Sequence, residues 1–295
     1  MFTRGYPQIV KEFNALQIVD NKVNTVYHYT SPNGLKGIIE NKKLWLTDRG
    51  FLNDSSEEQF TLQILKKAIS KGAYRYGLKE YILRKCSEMQ EKLLHRTQRA
   101  YIVSFSTSGD NLCLWNYYTK GNSFQGYSLG FDPVKLKSAL NTSLNSKDIV
   151  EPISGKVIYI EKDQLNLLKE IIDRLSQSGE NLPDSDVGDL ILDKVLIYGY
   201  LFKDSCFSIE KEYRIVYPWD LRIARDKYNL PDDCYRELNG FFVPYIKMPI
   251  NGECVRSVTI SPTVDYELAK SCLSRMLKKD FPNTAISKSR IPVRY

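Results

Sequence analysis

Short strand-like segments, interleaved unevenly with helical ones, constrain the fold of this chain most. Thr25–Tyr29 and Leu44–Thr47 have the length and apolar content of short strands, whereas apolar residues from Leu78 to Leu93 recur with helical spacing. Because strands and helices do not alternate one for one, the pattern favours an α+β fold over a doubly wound parallel sheet. No GxGxxG or GxxxxGKS/T motif follows a predicted strand, so Rossmann and P-loop folds have no support.

The sequence shows no sign of a division into several domains. Its 295 residues contain no internal repeat, low-complexity tract or long linker. We predict that residues 1–24 form a helical or irregular lead-in segment and that residues 25–295 form a single domain. Within that domain, Gly179–Gly188 is the best candidate for a loop, because it contains Pro183 and three acidic residues.

Composition narrows the class of protein. Hydrophobic residues make up 42% and charged residues 26% of the chain, which is typical of soluble globular proteins. The longest apolar run, near Val195–Phe202, is far shorter than the roughly 20 residues of a membrane-spanning helix. The N-terminus lacks the pattern of a secretory signal. We therefore expect a soluble, cytoplasmic protein without a membrane partner.

Cysteine and histidine content argues against a metal centre. The six cysteines are scattered without a CxxC pair, and the chain has only two histidines. We therefore expect reduced thiols and no metal cofactor. The net charge of +7 permits binding of nucleic acid but identifies no site.

His28 is a candidate ligand-binding residue because it lies at the end of a predicted strand that leads into a turn. Thr30 and Ser31 add hydroxyl groups beside it. The alternative is a packed, hydrogen-bonded histidine between Tyr27 and Tyr29.

Two further pairs of side chains are candidates for a ligand site. Ser104 and Ser106 end a second predicted strand, and alternation puts both hydroxyls on one face, in a polar cleft or in solvent. Trp115 and Tyr118 follow within a turn of each other. Rings at that spacing form either core or a stacking wall for a flat heteroaromatic ring.

Ile209–Ile215 carries the sharpest local signal. If this segment is a strand, Glu210, Glu212 and Arg214 share one face, with the two carboxylates about 6–7 Å apart. At that spacing the carboxylates repel each other unless Arg214 compensates their charge. The alternative is an edge strand with a solvated charged face.

Taken in order, these segments resemble the bacterial DUF2971 family. The elements that carry the resemblance are Tyr27–Thr47, Leu52–Asp54, Ser104–Ser106, Leu114–Tyr118, Gly126–Asp132, Glu210–Arg214 and Ser289–Arg294. The family is grouped with the ADP-ribosyltransferase superfold. The signature of that superfold is His or Arg, then Ser, Thr or Tyr, then Glu, each on a separate strand.

The resemblance implies an ADP-ribosyltransferase-like split two-sheet core with peripheral helices, and NAD bound as a substrate between the sheets. His28 would then hydrogen-bond the adenosine-side ribose, and Ser104 and Ser106 would line the strand beneath the nicotinamide ribose. The other residues implied to contact NAD are Tyr29, Thr30, Trp115 and Tyr118.

The resemblance also implies catalytic roles for two glutamates. Glu212 would accept a hydrogen bond from the ribose 2′-hydroxyl and stabilise the oxocarbenium-like state as nicotinamide leaves. Glu210 would be the first glutamate of an ExE pair, which helps the acceptor attack.

These implications predict an NAD-dependent mono-ADP-ribosyltransferase that transfers ADP-ribose to a nucleic acid or a protein. By analogy with related folds, we expect a bacterial toxin or phage-defence effector with an antitoxin-like partner. Three alternatives stay open: an NAD glycohydrolase, a non-catalytic nucleotide- or nucleic-acid-binding module, and a metal-free nuclease that uses His28 and Glu212.

Overall fold

The computed structural model describes residues 7–15, 23–52, 57–91, 98–119, 125–142, 152–220, 233–238 and 240–292. Contacts divide these residues into two compact units. The first, helical unit draws on residues 1–19, 53–97 and 157–208, and the second draws on residues 20–52, 98–156 and 209–295. The division does not test the predicted boundary after residue 24, which stays a prediction.

Helices and strands are both present in number, so the predicted α+β class is confirmed. The described helices are α1 (Pro7–Ala15), α2 (Pro32–Asn41), α3 (Glu57–Lys71), α4 (Tyr76–Glu91), α5 (Leu112–Tyr118), α6 (Pro133–Thr142), α7 (Glu161–Ser178), α8 (Asp184–Gly199) and α9 (Tyr266–Leu277). The strands are β1 (Val26–Thr30), β2 (Lys43–Asp48), β3 (Gln98–Ser106), β4 (Tyr127–Phe131), β5 (Ile153–Lys156), β6 (Glu212–Asp220), β7 (Cys234–Leu238), β8 (Phe241–Pro249), β9 (Val255–Ile260) and β10 (Ala285–Lys288). None of the described helices combines the length and the apolar character needed to cross a bilayer.

The first unit packs α3, α4, α7 and α8 around a shared apolar core. Leu78, Ile82 and Cys86 of the predicted helical stripe are fully buried in it, whereas Leu93 lies outside the described residues. The loop predicted at Gly179–Gly188 is wrong beyond Pro183, because α8 begins at the next residue. Two of the three acidic residues that suggested a loop, Asp184 and Asp186, instead occupy the first helical turn, where the helix dipole favours negative charge.

The second unit contains the sheet. Its strand order is β10-β9-β4-β1-β3-β2-β8-β7, and β6 pairs with β3 and with β5. The sheet is mixed, because β10 runs parallel to β9 whereas the other described pairs are antiparallel.

Strand β3 is the branch point of this sheet. Along one edge it pairs with β6 from Gln98 to Ser106. The other edge is shared, because β1 pairs with it at Ser106 and β2 pairs with it at Tyr101 and Ile102. Among the described strands, none pairs with Val103–Phe105 on that edge. We call this gap between β1 and β2 the fork.

The two faces of β3 and β6 differ in chemistry. Tyr101, Val103 and Phe105 point into the main apolar core, together with Tyr213 and Ile215. Helices α2 and α9 contribute apolar side chains to that core. Alternation therefore assigns Ser104, Ser106, Glu212 and Arg214 to the opposite face.

Candidate functional site at the fork

Glu212 and Arg214 form a buried ion pair at the start of β6. Arg214 Nε lies 2.7 Å from Glu212 Oε1, and Arg214 Nη2 lies 2.9 Å from Oε2. The two residues are two positions apart on a strand, so they share a face, and the long arginine side chain reaches back to its neighbour. Glu212 is only 5% exposed and Arg214 only 1%. The alternative of a solvated edge strand is wrong, because β6 lies between β3 and β5.

This bidentate pair holds the Glu212 carboxylate in one orientation. Two parallel charge-assisted hydrogen bonds fix the plane of the carboxylate and favour its ionised form. A carboxylate oxygen can accept more than one hydrogen bond, so the contact with Arg214 is compatible with a ligand hydroxyl at the same group. Glu212 is therefore an oriented acceptor, whereas the sequence alone identified Arg214 only as a charge-compensating neighbour.

Glu210 does not share the strand of Glu212. It ends a short 3-10 helix, Ser205–Glu210, and Lys211 follows with φ of 46°, in the left-handed region. The expectation that Glu210 and Glu212 share a face of one strand is therefore wrong. The backbone carbonyl of Glu210 accepts a hydrogen bond from Ser106 Oγ at 2.7 Å. The catalytic role predicted for Glu210 stays a prediction.

Ser106 holds the backbone at Glu210, just before β6 begins. Ser104 lies two positions earlier on β3, on the same face. The Ser106 hydroxyl donates to Glu210 and accepts from the Ser108 backbone N–H at 3.0 Å. In the pairing of β3 with β6, Ser104 stands opposite Arg214, and Ser106 stands opposite Glu212. The structure thus brings both serines beside the ion pair, and Ser106 already holds the local backbone.

His28 inserts its ring into the fork. Its Nδ1 lies 3.1 Å from the backbone carbonyl oxygen of Ser104, and its ring meets Phe105 edge-on at 5.8 Å. Because a carbonyl oxygen only accepts, Nδ1 carries the hydrogen. Burial lowers the pKa of His28, and the positive charge of Arg236 lowers it further, while the bond to Ser104 acts in the opposite direction. In this neutral tautomer, Nε2 is an acceptor for a ligand hydroxyl.

The burial of His28 makes protein stability depend on pH. In the folded state the pKa of His28 lies below its ordinary value of 6.5, so the unfolded chain takes up a proton first as the pH falls. The contribution of His28 is present above about pH 6.5 and is lost as the pH falls through the folded-state pKa. We expect denaturant titrations at about pH 7.5 and about pH 5.5 to show a larger loss of stability in the wild type than in His28→Ala. Equal losses in both proteins would contradict the desolvated placement of His28.

Tyr29, Thr30 and Trp115 make contacts that hold the protein itself together. The Tyr29 hydroxyl donates to the Ser108 carbonyl at 2.8 Å and accepts from the Asn111 N–H at 3.0 Å. Its ring meets Trp115 edge-on at 4.7 Å. Trp115 is fully buried, which supports the packing alternative for this residue, and Thr30 is buried as well.

Tyr118 differs from these residues, because its side chain is 40% exposed at the end of α5. The exposed ring leaves room for contact with a ligand. The roles in NAD binding predicted for Tyr29, Thr30, Trp115 and Tyr118 stay predictions.

Asp110 is a structural residue that the sequence analysis missed. Its Oδ1 accepts from Trp115 Nε1 at 2.8 Å and from Ser289 Oγ at 2.7 Å, and its Oδ2 accepts from the Arg290 N–H at 2.7 Å. The Asp110 carboxylate therefore connects the segment after β10 to Trp115, whose ring packs against Tyr29 of β1. The sequence gives no signal of this contact, because the partners lie 179 and 180 positions apart.

Removal of the Asp110 carboxylate should destabilise the protein. We expect Asp110→Ala to lower the free energy of unfolding by about 1–3 kcal/mol, because the Trp115 and Ser289 donors lose a charged partner. Limited proteolysis should then cleave near Ser289 faster than in the wild type. Asp163→Asn, an exposed acid in the first turn of α7, is the control and should change stability by less than about 0.5 kcal/mol. A change in Asp110→Ala as small as that would contradict the anchoring role.

A second group that the sequence analysis missed lies beside the fork, on β2 and β7. Arg236 Nη2 donates to Thr47 Oγ1 at 3.0 Å, and the guanidinium carbon lies 5.9 Å from the centre of the Trp45 ring. Trp45 stacks in turn on Tyr245, with 4.4 Å between ring centres. No local pattern in the sequence singles out Arg236, because only the pairing of β7 with β8 and of β8 with β2 brings it to Thr47.

Comparison with known proteins identifies a family. A family model, that of DUF2971, described as a protein of unknown function, matches residues 114–215. The match supports the predicted resemblance to DUF2971 over these residues. The DUF2971 match runs from α5 into β6, so it includes Glu210, Glu212 and Arg214. No curated protein and no solved structure matches the chain.

The DUF2971 match names no ligand, so the chemistry of the site comes from its residues. Within the described ranges, no group of three or more His, Cys, Asp or Glu side chains could hold a metal ion. One face of β3 and β6 offers a fixed carboxylate at Glu212 and a hydroxyl at Ser104. His28 offers a neutral imidazole in the fork, and because Tyr27 pairs with Ser106, alternation puts its ring on the side of Phe105. These groups accept hydrogen bonds from the hydroxyls of a sugar and stabilise positive charge.

Proposed function

We propose that this protein is an NAD-dependent mono-ADP-ribosyltransferase of the ADP-ribosyltransferase superfold. It would cleave the nicotinamide glycosidic bond of NAD and transfer ADP-ribose to a nucleic acid or a protein. The observation that carries the proposal is the orientation of Glu212 by Arg214 on the strand beside β3, whose other edge holds His28 in the fork.

The branching of the sheet supports the proposed superfold. A split core needs a strand on which two neighbouring strands diverge from each other. Strand β3 is such a strand, because β1 and β2 pair with different parts of the same edge. His28, Ser104 and Glu212 lie on β1, β3 and β6, which are neighbours in the sheet. This is the order of side chains that the signature of the superfold requires.

The proposed mechanism starts at the C1′ atom of the nicotinamide ribose. The bond from C1′ to the nicotinamide nitrogen breaks, and its electron pair leaves with neutral nicotinamide. Positive charge builds on C1′, and the Glu212 carboxylate stabilises that charge while accepting a hydrogen bond from the 2′-hydroxyl. An acceptor oxygen or nitrogen then bonds to C1′ and releases its proton. The neutral His28 accepts from a hydroxyl of the other ribose and positions the substrate.

An NAD glycohydrolase is the second candidate, and the position of Glu210 favours it. In a transferase of the ExE type, the first glutamate helps the acceptor attack. Here Glu210 ends a 3-10 helix before the strand that carries Glu212. Water can replace the acceptor without help from a second carboxylate, so hydrolysis needs only Glu212.

Nicotinamide release tests the proposal. Purified protein is incubated with NAD alone and with added RNA, DNA or proteins from a cell lysate. Release that requires a polymer, with ADP-ribose attached to it, supports transfer, and release without a polymer supports the glycohydrolase. A folded protein that neither releases nicotinamide nor binds NAD under any condition would overturn both and leave a non-catalytic binding module. Cleavage of RNA without NAD would instead support the nuclease.

The biological setting is proposed on analogy alone. We propose a toxin or phage-defence effector whose activity an antitoxin-like partner restrains. Expression in a bacterial host tests it, because an active toxin should arrest growth and an inactive variant should not.

A further inference from the structure

Arg236 is a half-buried cation with unused hydrogen-bonding capacity. It lies on β7, and its Nη2 donates to Thr47. Its Nε is buried and has no hydrogen-bond partner among the described residues. Burial lowers the pKa of Arg236, which shows that the surroundings disfavour its charge. A buried guanidinium is costly unless an anion compensates it.

The described part of the chain does not supply that anion. No described carboxylate lies within ion-pair distance of Arg236, and burial lowers its pKa while only the Tyr245 side chain acts in the opposite direction. The aromatic face of Trp45 supports one side of the guanidinium at 5.9 Å, and such a contact compensates a charge only in part. Among the described residues, the half-buried guanidinium therefore has no carboxylate partner.

The neighbours of Arg236 define which anion fits. The Thr47 hydroxyl accepts from Arg236, so its own hydrogen is available for a ligand oxygen. His28 of β1 lies in the fork, which Thr47 of β2 borders on the other side, and its Nε2 is an acceptor. Donors to an anion thus lie on one side of the fork, and an acceptor for a hydroxyl lies on the other. A phosphate group next to a ribose has this combination of groups.

We propose that Arg236 and Thr47 bind a phosphate group of a phosphorylated nucleoside at the fork. Phosphate binding follows from the residues described here and does not depend on catalysis. The assignment of that phosphate to the diphosphate of NAD rests on the proposed function. Arg236 would then position NAD through the diphosphate, and His28 would contact the ribose beside it.

Binding of ADP and of adenosine by calorimetry tests the proposal. We expect the wild type to bind ADP at least about tenfold more tightly than adenosine, because charge-assisted bonds to phosphate are strong. Arg236→Gln should lose most of that difference and keep the affinity for adenosine. The control is Lys247→Gln, which removes a positive charge from an exposed position on β8 and should bind ADP like the wild type.

Two further variants keep the test informative if Arg236→Gln fails to fold. Arg236→Lys retains the charge and should retain part of the preference for ADP, whereas Thr47→Val should weaken binding of ADP severalfold without changing that of adenosine. Equal binding of ADP by folded Arg236→Gln and the wild type would overturn the proposal. A wild type that binds neither ADP nor inorganic pyrophosphate would overturn it as well.

These outcomes separate the phosphate site from the proposed function. If ADP binds through Arg236 but no nicotinamide is released, the phosphate site stands and the enzyme proposal fails. If nicotinamide is released at the same KM by the wild type and Arg236→Gln, the enzyme proposal stands and the phosphate site fails.

Discussion

Glu212→Gln should lower the rate of nicotinamide release by about 100- to 1000-fold. The change removes the negative charge that stabilises the developing positive charge on C1′, and the loss of one such group costs about 3–4 kcal/mol of transition-state stabilisation. Nicotinamide release under single-turnover conditions measures this effect on the chemical step. The matched control is Glu253→Gln, an exposed glutamate next to β9, which should keep the wild-type rate.

Interpretation of this variant requires a check of its fold. The amide introduced by Glu212→Gln puts a donating NH2 group where one carboxylate oxygen accepts from Arg214 in the wild type, so the bidentate contact is lost. Circular dichroism and ADP binding should match the wild type before the rate is compared. His28→Ala offers an independent route, since it leaves the ion pair intact and should raise KM. A folded Glu212→Gln protein that keeps more than half of the wild-type rate would exclude Glu212 as the catalytic residue.

Arg214→Ala should lower the free energy of unfolding by about 3–5 kcal/mol. The substitution leaves the Glu212 carboxylate buried without its bidentate partner, and that is the usual cost of an uncompensated buried charge. Denaturant titration monitored by circular dichroism measures it. The control is Lys135→Ala, which breaks an exposed ion pair with Glu253 and should cost less than about 1 kcal/mol.

A double variant distinguishes the loss of charge pairing from the loss of packing. Replacement of both Glu212 and Arg214 by Leu removes the two charges together, so the stability should return to within about 1–2 kcal/mol of the wild type. The same protein should release no nicotinamide. If the double variant is less stable than Arg214→Ala, the ion pair is not the source of the cost.

The sequence predicted the strands of the site better than the residues that lead into them. The strand that begins at Glu212 was expected, since Glu212 and Arg214 alternate with Tyr213 and Ile215. The placement of Glu210 was wrong, because alternation assumes a continuous strand. Lys211 interrupts it in the left-handed region, where glycine or asparagine would be the recognisable residue. A lysine at that position does not indicate from the sequence that the strand is interrupted.

Long-range contacts account for the residues that the sequence missed. Arg236 reaches Thr47 over 189 positions, and Asp110 reaches Ser289 over 179. The hydrophobic periodicity of a segment predicts its secondary structure but does not show which distant segment it contacts. The resemblance to DUF2971 supplied the roles predicted for His28 and Glu212, but it carried no information on how Arg214 and Arg236 are placed.

The fork also leaves a short stretch of strand edge on β3 without a partner strand among those described. A stretch of strand edge without a partner strand is a surface on which a strand of another molecule can add. At Val103–Phe105, the imidazole of His28 occupies the backbone carbonyl of Ser104 that such a strand would use. His28 therefore satisfies a backbone acceptor in this gap, in addition to any contact with a ligand, so a variant that lacks it leaves the Ser104 carbonyl without that partner.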